Sequence, residues 1–301
     1  MISFLNPADE RFLTILTSLS DRMARAQRQI SSGKRIHDVS DDPDQISQLL
    51  VARSSLSRVE QIRSNLDRVR TEVDAAEQAL SNSVQIIERA RVLAAMAVNG
   101  TQTASSRATL AREVDILLRQ LATQANSAVS NRYLFSGDTD TVAPFVVDVN
   151  PPVSVSPYAG SATTRLVLHP TGDSFPVAVA GDEIFDNVEP TLNAFGVLTR
   201  FRDALLQNDE EVITEELANL GSVGEHLNRI LAVYGTTQNQ VAEAIASAEE
   251  RILQLKTQIS RMEDADMAAA ILEMNRLSVH QEAAMRSRAQ LPMRTLFDYL
   301  G

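Results

Sequence analysis

The chain has no cysteine, so it carries no disulfide, no thiolate metal ligand and no cysteine nucleophile. Tryptophan is also absent, and aromatics make up 4% of the 301 residues. The longest unbroken apolar run, residues 92–98, is far short of the roughly 20 residues that cross a bilayer, so no membrane insertion is expected. The first thirty residues have no basic start leading into an apolar core. Asp9, Glu10 and Arg11 stand where that core would lie, so no cleavable signal peptide is expected. Basic surplus is missing too, since the formal net charge is −11. Phosphate binding needs clustered cations, and the nearest cluster, Arg58, Arg63, Arg68 and Arg70, is interleaved with Glu60, Asp67, Glu72 and Asp74. That pattern reads as a solvated helix face stitched by ion pairs, and no nucleic-acid partner is expected.

Chemistry-bearing motifs are equally scarce. His37, His169, His226 and His280 are scattered beyond metal-pair spacing and read as surface or capping residues. Glu263, Asp264 and Asp266 lack the alternating ligands and turn glycine of a calcium loop. No phosphate-cradling glycine loop, dinucleotide fingerprint or serine elbow is present. The expectation is a protein that is not an enzyme and takes no cofactor or metal.

What the sequence does contain is helical periodicity. Ile245, Ala248, Ile252, Leu255, Ile259 and Met262 step by threes and fours, as do Phe12, Leu16, Leu19, Met23, Ala26 and Ile30 near the other end. Each set keeps to one narrow seam of a helix, and such a seam demands a partner. The two stripes are therefore expected to meet, bringing the termini together. Between them, Ile62, Leu66, Val69, Val73, Ala76 and Leu80 form a third seam that shifts by four to Val84 and then Ile87, a stutter that unwinds a helix locally without breaking it.

Taken in order, Asn6 and Pro7 start a helix by cap and first-turn logic, and Gly33 stops it. Asp41, Asp42 and Pro43 start a long second helix reaching about Asn99, and Ser105 or Ser106 is expected to cap a third carrying Leu110, Val114, Leu117, Leu121, Ala125 and Ala128. Seven of the ten prolines fall in 138–190 among short β-favouring runs at 145–149, 153–155, 165–168 and 175–179. Helix resumes near Pro190 and holds to about Leu231, interrupted around Gly221 and Gly224, and the C-terminal helical stretch follows. The tail carries Met285, Met293, Leu296, Phe297 and Leu300 beside Arg286, Arg288 and Arg294, an apolar segment either docked on its own domain or held for a neighbour. The ends are expected to need each other and neighbouring subunits for order. The predicted fold is mainly α: a long antiparallel helical bundle or coiled coil built from both termini, with a small β-rich insert. The expected segments are a terminal assembly helix (1–40), a helical rod (41–137), the insert (138–190), the returning rod (191–264) and a second terminal assembly helix (265–301).

Three blocks resemble the bacterial flagellin family. The first runs Ile30, Ser31, Ser32, Gly33, Lys34, Arg35, Ile36 and on to Ser40, Asp41, Asp42, Pro43. The second is Asn131, Arg132, Tyr133, Leu134, Phe135, Ser136, Gly137. The third is Ser260, Arg261, Met262, Glu263, Asp264, Ala265, Asp266 followed by Met267, Ala268, Ala269, Ala270. Blocks one and three are similar to filament flagellins, whereas the Tyr-Leu-Phe-Ser-Gly ending and the Asp-Asp-Pro form look more like the members that stand between hook and filament. Asn131 departs from the glycine those members usually carry. The resemblance implies a structural protein of the bacterial flagellum, exported unfolded by the type III apparatus and located extracellularly where hook meets filament. It implies self-association in a ring or tube, an adjacent hook-associated protein and flagellin as partners, and an export chaperone on the C-terminal region. A filament flagellin and, more distantly, a cytoplasmic helical adaptor or signalling protein are the alternatives.

Overall fold

The computed structural model describes residues 7–37, 42–99, 102–148, 150 and 152–289. In chain order the elements are α1 (Pro7–Ser32), α2 (Pro43–Ala97), α3 (Ala104–Ala125), β1 (Ala128–Val129), β2 (Arg132–Tyr133), β3 (Val147–Asp148), β4 (Ser154–Val155), β5 (Leu166–Leu168), β6 (Ser174–Pro176), α4 (Gly181–Ile184), α5 (Ala194–Gln207), α6 (Glu210–Glu263) and α7 (Met267–Ala289). The fold is mainly α with three small antiparallel strand pairs, β1–β2, β3–β4 and β5–β6. The chain forms two compact units, one of residues 1–58 with 252–301 and the other of residues 59–251.

In the first unit α1 and α7 pack side by side. They run antiparallel, because Arg22 pairs with Glu273 and the Arg288 guanidinium lies 5.8 Å from the centre of the Phe12 ring. Phe12, Leu16, Leu19, Met23 and Ile30 are half-buried and Ala26 is buried, so the heptad stripe of α1 is its inward face. The partner differs from the expected one. The helix laid along α1 is α7, which begins beyond the 245–262 repeat, since the chain divides at Asp264–Asp266, beside the expected boundary between 264 and 265. Asp266 then acts as the N-terminal cap of α7, its carboxylate accepting from the Ala269 amide at 3.0 Å. Within the described residues, α1 and α7 thus cover one another's inner faces.

In the second unit α2 supplies the floor. Ile62, Leu66, Val69, Val73, Ala76, Leu80 and Ile87 are buried, and the helix stays unbroken across the stutter. Ser83 takes the seam position there, its hydroxyl bonding back to the Ala79 carbonyl at 2.7 Å. The cap of α3 is Thr103, two to three residues earlier than expected, accepting from the Ser106 amide. Gly221 and Gly224 do not interrupt α6: two glycines cost a helix about 1 kcal/mol each, less than the apolar face of α6 regains by burial. Aromatics gather where the insert meets the helices. Phe145 and Phe195 lie 5.0 Å apart between ring centres and Phe135 and Phe185 5.5 Å, in edge-on geometries favoured by the ring quadrupole. His226 is buried here rather than at the surface, its Nε2 within 2.8 Å of the Glu183 carbonyl.

Candidate functional site

The first and third sequence blocks, more than 200 residues apart, meet in the first unit. Gly33 adopts φ +71°, the left-handed stop that glycine takes without a Cβ penalty, and this turns the chain toward the end of α6. Its carbonyl accepts from the Ala265 amide at 2.9 Å, and the Arg35 amide donates to the Glu263 carbonyl at 2.6 Å. Around this two-stranded stitch the charges converge. The Arg35 guanidinium donates to Asp42 at 3.1 Å, to Gln45 at 2.9 Å and to the Met262 carbonyl at 2.8 Å. Asp42 in turn caps α2, accepting from the Gln45 amide at 3.2 Å. Ser32 bonds back to the Arg28 carbonyl at 2.7 Å and Pro43 opens α2, where a missing N–H costs nothing.

Glu263 is the centre of this clasp. It is 3% exposed, with Lys34 on one carboxylate oxygen at 2.5 Å and Arg53 on the other at 2.6 Å. Burial alone would push its pKa up, but the hydrogen bonds and charges of Lys34 and Arg53 outweigh that and hold it below the usual carboxylate range. In the sequence Glu263 stands out as an acidic residue of the third block, without its partner Arg53. The signal was faint, because the cations lie in the other half of the chain.

The second block sits in the other unit and has a different task. Ser130 and Asn131 both have positive φ, 51° and 62°, the two-residue turn that suits the twist of a β1–β2 hairpin. Asparagine tolerates that region better than other non-glycine residues, so the departure from glycine at Asn131 is conservative. Tyr133 lies in β2, not at a helix end, since α3 stops at Ala125. Leu134, Phe135 and Ser136 are buried. The Phe135 carbonyl accepts from the Gly181 amide at 2.8 Å and from the Tyr158 hydroxyl at 2.9 Å. The Ser136 hydroxyl reaches the carbonyls of Thr139 and Val142, each at 2.9 Å. Gly137 has φ +67° and a Cβ there would lie 2.0 Å from the Ser161 carbonyl oxygen. Arg132 donates to Asp140 at 2.7 Å. Block two is therefore the socket that seats the insert.

The remaining stripe residues divide. On α6, Leu255 is buried and Ile245, Ile252, Ile259 and Met262 are half-buried. Met285 is 53% exposed, so it is not docked on its own chain. Ser40, Asp41, Met293, Leu296, Phe297 and Leu300 lie outside the described residues, as does Asn6. The first unit leaves Leu13 and Ile15 on α1 and Ile271, Leu272 and Val279 on α7 exposed, apolar side chains open to a neighbour. Among the described residues there is no group of histidine, aspartate and glutamate that could hold a metal and no helix long and apolar enough to cross a membrane.

Family comparison agrees with this anatomy. Residues 6–140 match the bacterial flagellin N-terminal helical region and residues 213–300 match the bacterial flagellin C-terminal helical region. Together these cover well over half the chain, which belongs to the bacterial flagellin family. Within it, the chain is 28% identical to flagellar hook-associated protein 3 of Escherichia coli, over 81% of this chain and 82% of that one. It is 26% identical to flagellar hook-associated protein 3 of Salmonella typhimurium, over 92% of each. Among solved structures, the flagellar hook-associated protein-3 of Legionella pneumophila superposes with a TM-score of 0.60 at 17% identity, covering 70% of this chain and 98% of that one. This last likeness speaks for the fold.

Proposed function

We propose that this chain is a structural protein of the bacterial flagellum that joins hook to filament. The observation that carries the reading is its likeness to two hook-associated proteins 3 over 82% and 92% of their lengths. In this reading the α1–α7 hairpin is the assembly element. Its inner stripe is covered within the chain, so the chain folds alone; its outer apolar face stays exposed until other copies, an adjacent hook-associated protein or flagellin lie against it. Repeating a head-to-tail contact of that kind closes a ring or builds a tube. The chain is exported unfolded, its C-terminal region is held by an export chaperone until then, and its place is extracellular. It performs no catalysis. The stripe residues and the tail with Met285, Met293, Leu296, Phe297 and Leu300 supply the packing, and the clasp ties the turns after α1 and before α7 together.

Deleting residues 286–301 tests this. The truncated chain is expected to remain a helical monomer by circular dichroism, while cells carrying it make hooks without filaments. Normal filaments from the truncated chain would refute the role given to the tail. A second reading, a filament flagellin, is favoured by the family matches themselves, which are to flagellin regions. Counting copies per flagellum separates the two, since a joint needs few copies and a filament thousands.

A further inference from the structure

The hairpin β5–β6 in the second unit leans on α2 and shows two leucines outward, Leu166 at 62% and Leu168 at 37% exposure. Between them and α2 lies an open cavity of about 400 Å³, walled also by Arg68, Arg132, Arg165 and Glu72. The charges do not cancel. Glu72 is taken by Arg165 at 2.6 Å and approached by Arg132 at 3.8 Å, and Arg132 is further neutralised by Asp140. Among the described residues, Arg68 reaches the side-chain oxygen of Asn65 and no carboxylate. The cavity therefore offers an apolar rim and one uncompensated guanidinium, a site for an apolar side chain next to a carboxylate.

The same unit displays that pair elsewhere. Val188 is 99% exposed and is followed by Glu189, for which the described residues provide no cation. The loop is braced. The Glu189 amide donates to the Asn187 side chain at 2.9 Å, the Asn193 side chain to Asp186 at 2.7 Å, and Arg200 to the Pro190 carbonyl at 2.9 Å. A loop this rigid presents Val188 without an ordering cost on contact. It cannot reach the cavity in its own chain. Glu183, five residues before Val188, is held by His226, and the neighbouring Gly224 faces Glu88 on α2. The cavity lies at Arg68, twenty residues back along α2 and so about 30 Å away at 1.5 Å per residue.

We propose that the cavity receives the Val188–Glu189 knob of a second copy of this chain, displaced by about 30 Å along the helix direction. Val188 seats between Leu166 and Leu168, and Glu189 pairs with Arg68. The contact is heterologous, knob of one copy into cavity of the next, and so propagates around a ring or along a tube. It rests on the proposed function in needing an assembly that sets copies side by side, and it adds an outer contact to the one made by the terminal hairpin.

The absence of cysteine makes the test clean. A full-length L166C/V188C chain, oxidised in flagella sheared from cells, is expected to give disulfide-linked dimers and higher ladders, whereas either single variant gives none. A second arm uses charge: R68E should lower assembly of the chain into flagella several-fold, and R68E/E189R should restore it. Ladders together with that rescue establish the contact. No ladder from the double cysteine chain overturns it, and an R68E defect that E189R does not relieve assigns the cavity to a different acidic partner and overturns the second-copy assignment. Antibody labelling of the same flagella reads the proposed function separately: labelled flagella without ladders refute this contact alone, while unlabelled flagella refute both.

Discussion

Replacing Glu263 by glutamine keeps the side chain's shape and removes the charge at the centre of the clasp. Both ion pairs are lost: the glutamine oxygen can still accept from one cation, while its amide NH2 group faces the other. Lys34 and Arg53 are about half exposed, so both cations rehydrate and the loss is smaller than for a fully buried pair. The expected cost is about 1 to 3 kcal/mol, confined to the unit that holds α1 and α7. Hydrogen exchange reads such local opening directly. Amides of α1 and α7 should exchange about 5- to 150-fold faster in the E263Q chain, while those of α3 should not change. The pH dependence follows from the sign of the shift. A carboxyl held below its ordinary value stabilises the fold above its unfolded pKa of 4.5, and that contribution is lost as pH falls through the lower folded value. The native chain should therefore lose α1–α7 protection on acidification below about pH 4.5, and the E263Q chain should lack that component. Unchanged exchange in α1 and α7 after the substitution would refute the clasp.

Further substitutions probe the second unit. Gly137→Ala should destabilise the chain by at least about 1 to 3 kcal/mol, because it combines a left-handed φ with a Cβ 2.0 Å from the Ser161 oxygen; urea unfolding checks this. Gly221→Ala, in a helix with nothing within 4 Å of the new Cβ, should do the reverse and add about 0.5 to 1 kcal/mol in the same assay. Tyr158 and Tyr234 have pKa values pushed up to about 12, chiefly by burial. Raised phenol values mean stability that is complete below pH 10 and lost as pH rises from 10 toward 12. Ultraviolet titration should show both phenols ionising only as the second unit unfolds.

Much of the architecture was legible from local rules. The stripe from Phe12 to Ile30 marks the inward face of α1 because a seam of threes and fours has one physical meaning. Gly33 and Asp42 punctuate the chain where cap chemistry says they should, and the proline-rich texture marks the insert. What could not be read was which distant pieces meet. Nothing near Glu263 announces Lys34 and Arg53, and nothing in the α1 stripe distinguishes α7 from the end of α6 as its cover. The boundary between 264 and 265 was legible, but not the contact that fixes the turn there, the Gly33 carbonyl accepting from the Ala265 amide. Conversely, Gly221 and Gly224 looked like an interruption because propensity is local, whereas the burial of Leu220, Val223 and Leu227 that carries α6 through them is not. Val188 and Glu189, in an ordinary loop sequence, gave no sign of their exposure.

Immunogold labelling of intact cells tests the central claim most directly. A chain that joins hook to filament should appear as one short band where the hook gives way, at a constant copy number whatever the filament's length. Label spread along the whole filament, or confined to the cell body, would contradict it.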